Sequence, residues 1–219
     1  MKDSCKSIPI ICASLLGLAA IVTVMSLLNI DIRQVNAKGA TTGSEPIKLY
    51  ALDESKRLSP KDAHPHAAAL MADSFYWSNS EENTPFGNDN GADTLSRFRK
   101  WIPQHREEKP EVFIKEVCES FQAPFREWNE INPSDLHTIL DWKKSYVMTT
   151  GDDIIISAAF AQLMIEGTVD NSLKRLAFIA IGKEEAPNTI KSRGWINPEE
   201  RKQRLVKLRS VLQAAKGKN

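Results

Sequence analysis

Apolar and polar positions along this 219-residue chain fall into three regimes: an uncharged run near the start, a polar stretch without period, and a series of helical stripes. The run, IPIICASLLGLAAIVTVMSLL, opens at Ile8 and closes at Leu28. As a helix it spans roughly 30 Å, the thickness of a bilayer core. Lys2 and Lys6 precede it, as in a signal sequence or signal anchor. It is longer than the apolar core of most cleaved signals, which favours an uncleaved single-pass anchor; Val35, Asn36 and Ala37 offer the alternative, cleavage before Lys38. Cys12 lacks the small residues that precede a lipidated cysteine. Arg33 and Lys38 balance the lysines across the span, so the positive-inside rule hardly sets its orientation. An N-terminal segment ahead of a long soluble domain usually exports that domain, which places it on the periplasmic or extracellular side, tethered or secreted.

Residues 38–58, small, polar and charged, read as a tether. Helical stripes begin after it. A short helix is expected near His66–Ala72, then one led in by residues 88–93 with Ala92, Leu95, Phe98 and Trp101 spaced by three and Pro103 ending it. Ile114, Val117, Cys118 and Phe121 fall at i, i+3, i+4 and i+7, an amphipathic helix with Cys118 on its core face. Asn132, Pro133 and Asp135 mark the start of another. DIIISAAFAQLMIEG is apolar nearly all round, the signature of a central buried helix ending at Gly167; a short strand at residues 154–156 is the alternative, and the run's length favours helix. Asp170 caps a helix with the stripe Leu173, Leu176, Ala177, Ala180 and Ile181, followed by a loop over residues 183–195. Asn197, Pro198 and Glu200 start the last helix. The expectation is an all-α, irregular bundle of about six helices over residues 59–219, behind a transmembrane or signal helix in residues 1–37.

Composition adds boundaries. An apolar share of 42% suffices for a core, and 29 Lys/Arg against 28 Asp/Glu give no general drive toward nucleic acid. Cys118 stands alone beyond the leader, so neither an internal disulfide nor a cysteine metal cluster forms there.

The least ordinary stretch is FYWSNSEENTPFGNDNGADTL, residues 75–95. Read as a calcium loop, it needs an acid at Phe86 and a glutamate at Arg97, and both fail. A nonstandard site from Asn88, Asp89 and Asp93 is the sharper reading. The blander one is a helix start: Asn90 and Asp93 have capping spacing, and Pro85 and Gly87 shape the turn. His64-Pro65-His66 reads as a lead into a helix rather than a metal pair. His105 and His137 are isolated, and Asp135, His137 and Asp141 connect to no nucleophile. Residues 201–219 carry seven Lys/Arg and no acid, with Leu205, Leu208, Leu212 and Ala215 on one face. The cations mostly coat the other, as a solvated face or as a contact for anionic headgroups.

HPHAAALMADSFYWSNSEENTPFGNDNGADTLSRFRKW resembles the YfeS-like bacterial proteins, in which a His-Pro, an aromatic-Trp pair and Pro-Phe-Gly-x-Asp-x-Gly-x-Asp recur in this order. The resemblance covers roughly residues 60–182. It implies a shared helical fold and motif, not a reaction; an N-terminal membrane segment departs from that pattern.

The functional expectation is a membrane-tethered or exported domain of unknown activity that binds a protein partner. Trp77, Phe86, Asn88, Asp89, Asp93 and Trp101 form the candidate surface, with no cofactor and no nucleic acid. The alternative is a small-ligand- or metal-binding enzyme built on Asn88, Asp89 and Asp93. An exposed aromatic patch marks the first reading; Asp89, Asp93 and a histidine in one cleft mark the second.

Overall fold

The computed structural model describes residues 58–123 and 142–219. The stretch from Ile8 to Leu28, and the helix expected at Asn132, with His137 and Asp141, lie outside the described residues. Among those described, the chain is mostly helical, as the stripes require. Seven α-helices run α1 Pro65–Leu70, α2 Asp89–Trp101, α3 Pro110–Ser120, α4 Trp142–Glu166, α5 Asn171–Glu185, α6 Pro187–Ser192 and α7 Pro198–Ala214. No described helix is long and apolar enough to cross a membrane.

α4 is the axis. From Ile154 to Ile165 its side chains are buried on all sides, and α2, α3 and α5 pack against it. A helix without a polar face has no solvent side to show, so its sequence carries little amphipathic signal. Each fully buried Ile or Leu contributes about 1.5–3 kcal/mol relative to exposure, which makes this helix the main source of core energy. It runs unbroken from Trp142 through Gly151, so the last turns of the expected 132–147 helix and the apolar run form one element. Gly167 ends it at φ 71°, a left-handed conformation that favours glycine, and its N–H donates to Leu163 O at 2.8 Å. A side chain there would also strike the His64 ring, 2.2 Å from the Cβ position.

Immediately after Gly167, β1 (Thr168–Asp170) pairs in parallel with β2 (Lys216–Lys218), Val169 opposite Gly217. Among the described residues the expected all-α fold thus carries one small sheet. Three-residue strands lie below the length at which alternation can be read. Residues 154–156 are helical, as their run length argued.

Several expected features hold. Asp170 Oδ1 accepts from Ser172 N and Leu173 N, and every residue of the Leu173–Ile181 stripe is buried. Asn197 Oδ1 accepts from Glu200 N, with Pro198 opening α7. His64 Nδ1 caps α1 by accepting from His66 N at 3.1 Å, and His66 Nδ1 lies 2.7 Å from Gly167 O. Cys118 is buried in the core, and burial pushes its thiol up to about 12.

Others are corrected. The loop expected over 183–195 is mostly helical: α5 continues through Glu185, and after extended Ala186 Pro187 opens α6, which ends at Ser192. On α2 the inward stripe is Gly91, Thr94, Leu95, Phe98 and Trp101, while Ala92 is exposed. Strict spacing by three drifts around a 3.6-residue helix, and Thr94 hides its hydroxyl by donating to Asn90 O at 2.6 Å.

Candidate functional site

The turn leading into α2 is built from its own short side chains. Thr84 Oγ1 donates to Ser78 O at 2.9 Å, and Ser78 Oγ accepts from Glu81 N at 3.2 Å. This winds residues 78–87 so tightly that a Cβ on Gly87 would stand 1.8 Å from Glu81 O. Phe86 points inward and is 1% exposed. The cap of α2 is Asn88, whose Oδ1 accepts from Gly91 N at 2.7 Å; the Asn90–Asp93 capping pair is not the one used. Asn90 turns inward instead, donating from Nδ2 to Asp153 Oδ2 at 3.1 Å.

The six sequence-identified residues therefore divide. Trp77, Phe86 and Trp101 belong to the core cluster, and Trp77 Nε1 donates to Met71 O at 2.8 Å. Asn88 is half-buried at its cap, while Asp89 and Asp93 are exposed on α2. Exposed large apolar side chains are Val112, Ile196 and Val206, on separate elements, so the described residues present no aromatic patch. No three His, Cys, Asp or Glu side chains converge as metal ligands among the described residues.

Behind the turn lies a charge network that the sequence reading missed. Lys183 Nζ pairs with Asp152, both 1% exposed. Arg193 Nη2 lies 3.2 Å from Asp153 Oδ1 and 3.2 Å from Glu184 Oε1, and also donates to Thr149 O at 3.1 Å. Arg201 donates from Nε to Glu184 Oε2 at 3.0 Å, closes a second contact from Nη2, and gives Nη1 to Asn83 O at 2.9 Å. Trp195 covers the outer side, its ring 4.8 Å from the Arg201 guanidinium.

Burial pushes the Asp152 carboxyl up to about 7 against the pull of Lys183. Burial likewise raises Asp153, opposed by Arg193. It acts on Glu184 in the same sense, but Arg193 and Arg201 together outweigh it and hold that carboxyl below its usual range. Among the described residues Asp152 Oδ2 has no hydrogen-bond partner. The carboxylates of the network are buried, and its visible work is to fasten α4, α5 and α7 to the turn. Ser157 adds a further tie, donating to Pro85 O at 2.6 Å.

The cations of α7 are also engaged. Lys202 pairs with Glu199, Arg204 with Glu200 and Glu81, Lys207 with Asp73, and Arg209 with Glu185. Arg201, expected on the outer face, is 4% exposed. The basic stripe is thus largely neutralised within the fold, by Glu199 and Glu200 of α7's own first turn and by Glu81, Asp73 and Glu185 of the segments it packs against.

An open groove of about 310 Å³ lies between α2 and α3. Trp101, His105 and Phe113 line its apolar part, and Arg97, Lys100 and Glu116 its polar rim. Phe113 meets the Phe98 ring edge-on at 5.0 Å, and Trp101 stacks on His105 at 4.8 Å with 3° between planes. His105 Nδ1 in turn lies 2.8 Å from Glu108 Oε1. Of the sequence-identified residues, Trp101 alone reaches this groove; the turn and the groove occupy opposite ends of α2.

Compared with protein-family models, with curated proteins and with solved structures, the chain matches none of them.

Proposed function

We propose that this is a membrane-tethered or exported helical domain, held by the apolar segment from Ile8 to Leu28, that acts by binding a protein partner. YfeS-like kinship over residues 60–182 is part of this reading, carried by the His-Pro, Tyr-Trp and Pro-Phe-Gly motifs in order. The observation that supports binding best is the α2–α3 groove, which has an apolar floor and a charged rim. That is the layout of a small protein interface, where a central anchor is desolvated and polar groups surround it. The turn at residues 85–89 then serves as scaffolding that fixes α2, and the binding surface moves to the other end of that helix.

A small-ligand- or metal-binding enzyme built on Asn88, Asp89 and Asp93 has less support, because Asn88 Oδ1 is already taken by the Gly91 amide. The carboxyls that burial raises, Asp152 and Asp153, are buried in the fold.

The test is a photo-crosslinking amino acid at Gln104, which lines the groove, placed in the full chain in living cells. The expected result is a discrete protein adduct, absent when the crosslinker sits at exposed Lys202 on α7. Adducts to lipid alone, or none from Gln104, would count against a protein-binding role.

A further inference from the structure

Two groups at the α2–α3 groove are left wanting the same thing. Arg97 is exposed, and its contacts are neutral: Nη1 donates to Ser120 Oγ at 2.6 Å, and the guanidinium lies 5.2 Å from the Phe121 ring. That contrasts with α7, where arginine after arginine meets a carboxylate. Trp101 is 8% exposed, and its indole Nε1 has no hydrogen-bond partner among the described residues. Buried donors are almost always satisfied, and this unmet one belongs to a side chain that lines the groove. An exposed guanidinium with neutral neighbours and an unmet indole donor thus stand on successive turns of one helix.

Resting on the protein-binding reading above, we infer that the groove takes a short acidic segment of the partner, with a carboxylate beside one apolar anchor side chain. The anchor lies against Trp101 and Phe113, and the carboxylate faces Arg97 with Lys100 on the same rim. A guanidinium recognises a carboxylate with two parallel N–H donors, which fixes direction as well as sign. Glu116, on α3, also lines the groove and disfavours a second acid beside it. A volume of about 310 Å³ lies at the small end of ligand sites, which run roughly 300–1,000 Å³, and suits a single anchor residue. The stack on His105 holds the indole plane in place before anything binds, which lowers the ordering cost.

The experiment uses the full chain in detergent micelles and two arrays of synthetic hexapeptides. In one, a single Phe or Leu is flanked by Asp or Glu; in the other, the same residues are flanked by Lys or Arg. Free phenylacetate serves as a small-molecule probe. Wild-type protein is expected to hold the acidic array over the basic one, with binding that falls as salt rises. Arg97→Glu should weaken acidic-array binding roughly tenfold or more, as for loss of a charge-assisted contact. Arg106→Glu, an exposed change outside the groove lining, should leave it unchanged. Absence of any acidic preference overturns the inference, as does equal binding by wild type and Arg97→Glu. Phenylacetate binding without peptide binding overturns it too, in favour of a small-molecule site. The two readings fail separately: if Gln104 crosslinks the same protein in wild type and Arg97→Glu, the binding role stands and the acidic-segment inference falls.

Discussion

Arg201, in the first turn of α7, lies against Glu184, near the end of α5, with both side chains buried, and passes its remaining nitrogen to the carbonyl of Asn83. One guanidinium thus joins two helices to the segment that shapes the start of α2. Removing one partner strands the other charge in a medium that solvates it poorly, which typically costs about 3–5 kcal/mol. Glu184→Gln and Arg201→Met should each lower stability by that amount in urea unfolding of the full-length protein. The double variant Glu184→Gln with Arg201→Met should lose less than the sum of the two. Additive losses would show that the pair does not act as a unit.

Phe86 and Asn88 support α2 in different ways, and the magnitudes should separate them. Phe86→Ala deletes a fully buried ring and should cost about 3–5 kcal/mol. Asn88→Ala removes a cap bond and should cost about 0.5–2 kcal/mol. Unfolding midpoints of the two variants give both numbers; wild-type stability in either would remove the scaffold role from that residue.

Asp152 should give the protein a pH signature. Its carboxyl stands at about 7 when folded, against 3.8 as its ordinary value, so the folded state holds that proton more tightly than the unfolded chain. The associated stabilisation is fully present below about pH 4 and is lost as pH rises through about 7. Asp153, raised by burial, adds in the same direction; Glu184, held low, contributes stability that is lost as pH falls below its usual range. Replacing Asp152 by Asn together with Lys183 by Met removes the first contribution without stranding the lysine. The double variant should lose less stability than wild type between pH 5 and pH 8, and an unchanged slope would show that Asp152 does not titrate there.

The uncharged run from Ile8 to Leu28 is of spanning length, so the protein should stay with membranes through an alkaline carbonate wash. Recovery of a soluble form beginning at Lys38 would mark a cleaved leader instead.

Calcium should leave the melting temperature unchanged, because Asn88 is spent on a cap and the loop lacks the acids of a calcium-binding hand. A specific ligand at a hundredfold excess over its Kd stabilises by about 2.7 kcal/mol, well within reach of a thermal scan. An upward shift abolished by Asp89→Ala would reinstate a cation site at the turn.

Helices with one apolar face were legible before any coordinates. The Leu173–Ile181 stripe and the Asn197-Pro198 start can be read because both signals are local and of period 3.6. The buried charges were not read, although their traces are present. Glu184 continues the α5 stripe one turn past Ile181, and Arg201 sits four residues before Leu205 on the α7 face. A charged residue on an apolar stripe looks like the stripe's end unless its counter-charge is known, and Glu184 and Arg201 lie on different helices. The groove was half legible. Trp101 stood out by type, and its stacking partner His105 lies only four residues on, but the facing Phe113 depends on how α3 returns along α2.

Tyr76 donates its hydroxyl to Lys207 O at 3.0 Å across 131 positions of sequence, close to the spacing that joins Asp73 to Lys207 and Asn83 to Arg201. The segment from Asp73 to Asn83 is therefore closed by α7, a helix made long after it. At ordinary translation speeds of roughly 5–20 residues per second, α7 follows Tyr76 after about 7–26 seconds. Through that interval the side of the segment that α7 covers stays open, and collapse onto another nascent chain competes with waiting. A chaperone that holds unfinished chains should accordingly govern yield more strongly than the final stability of the domain does.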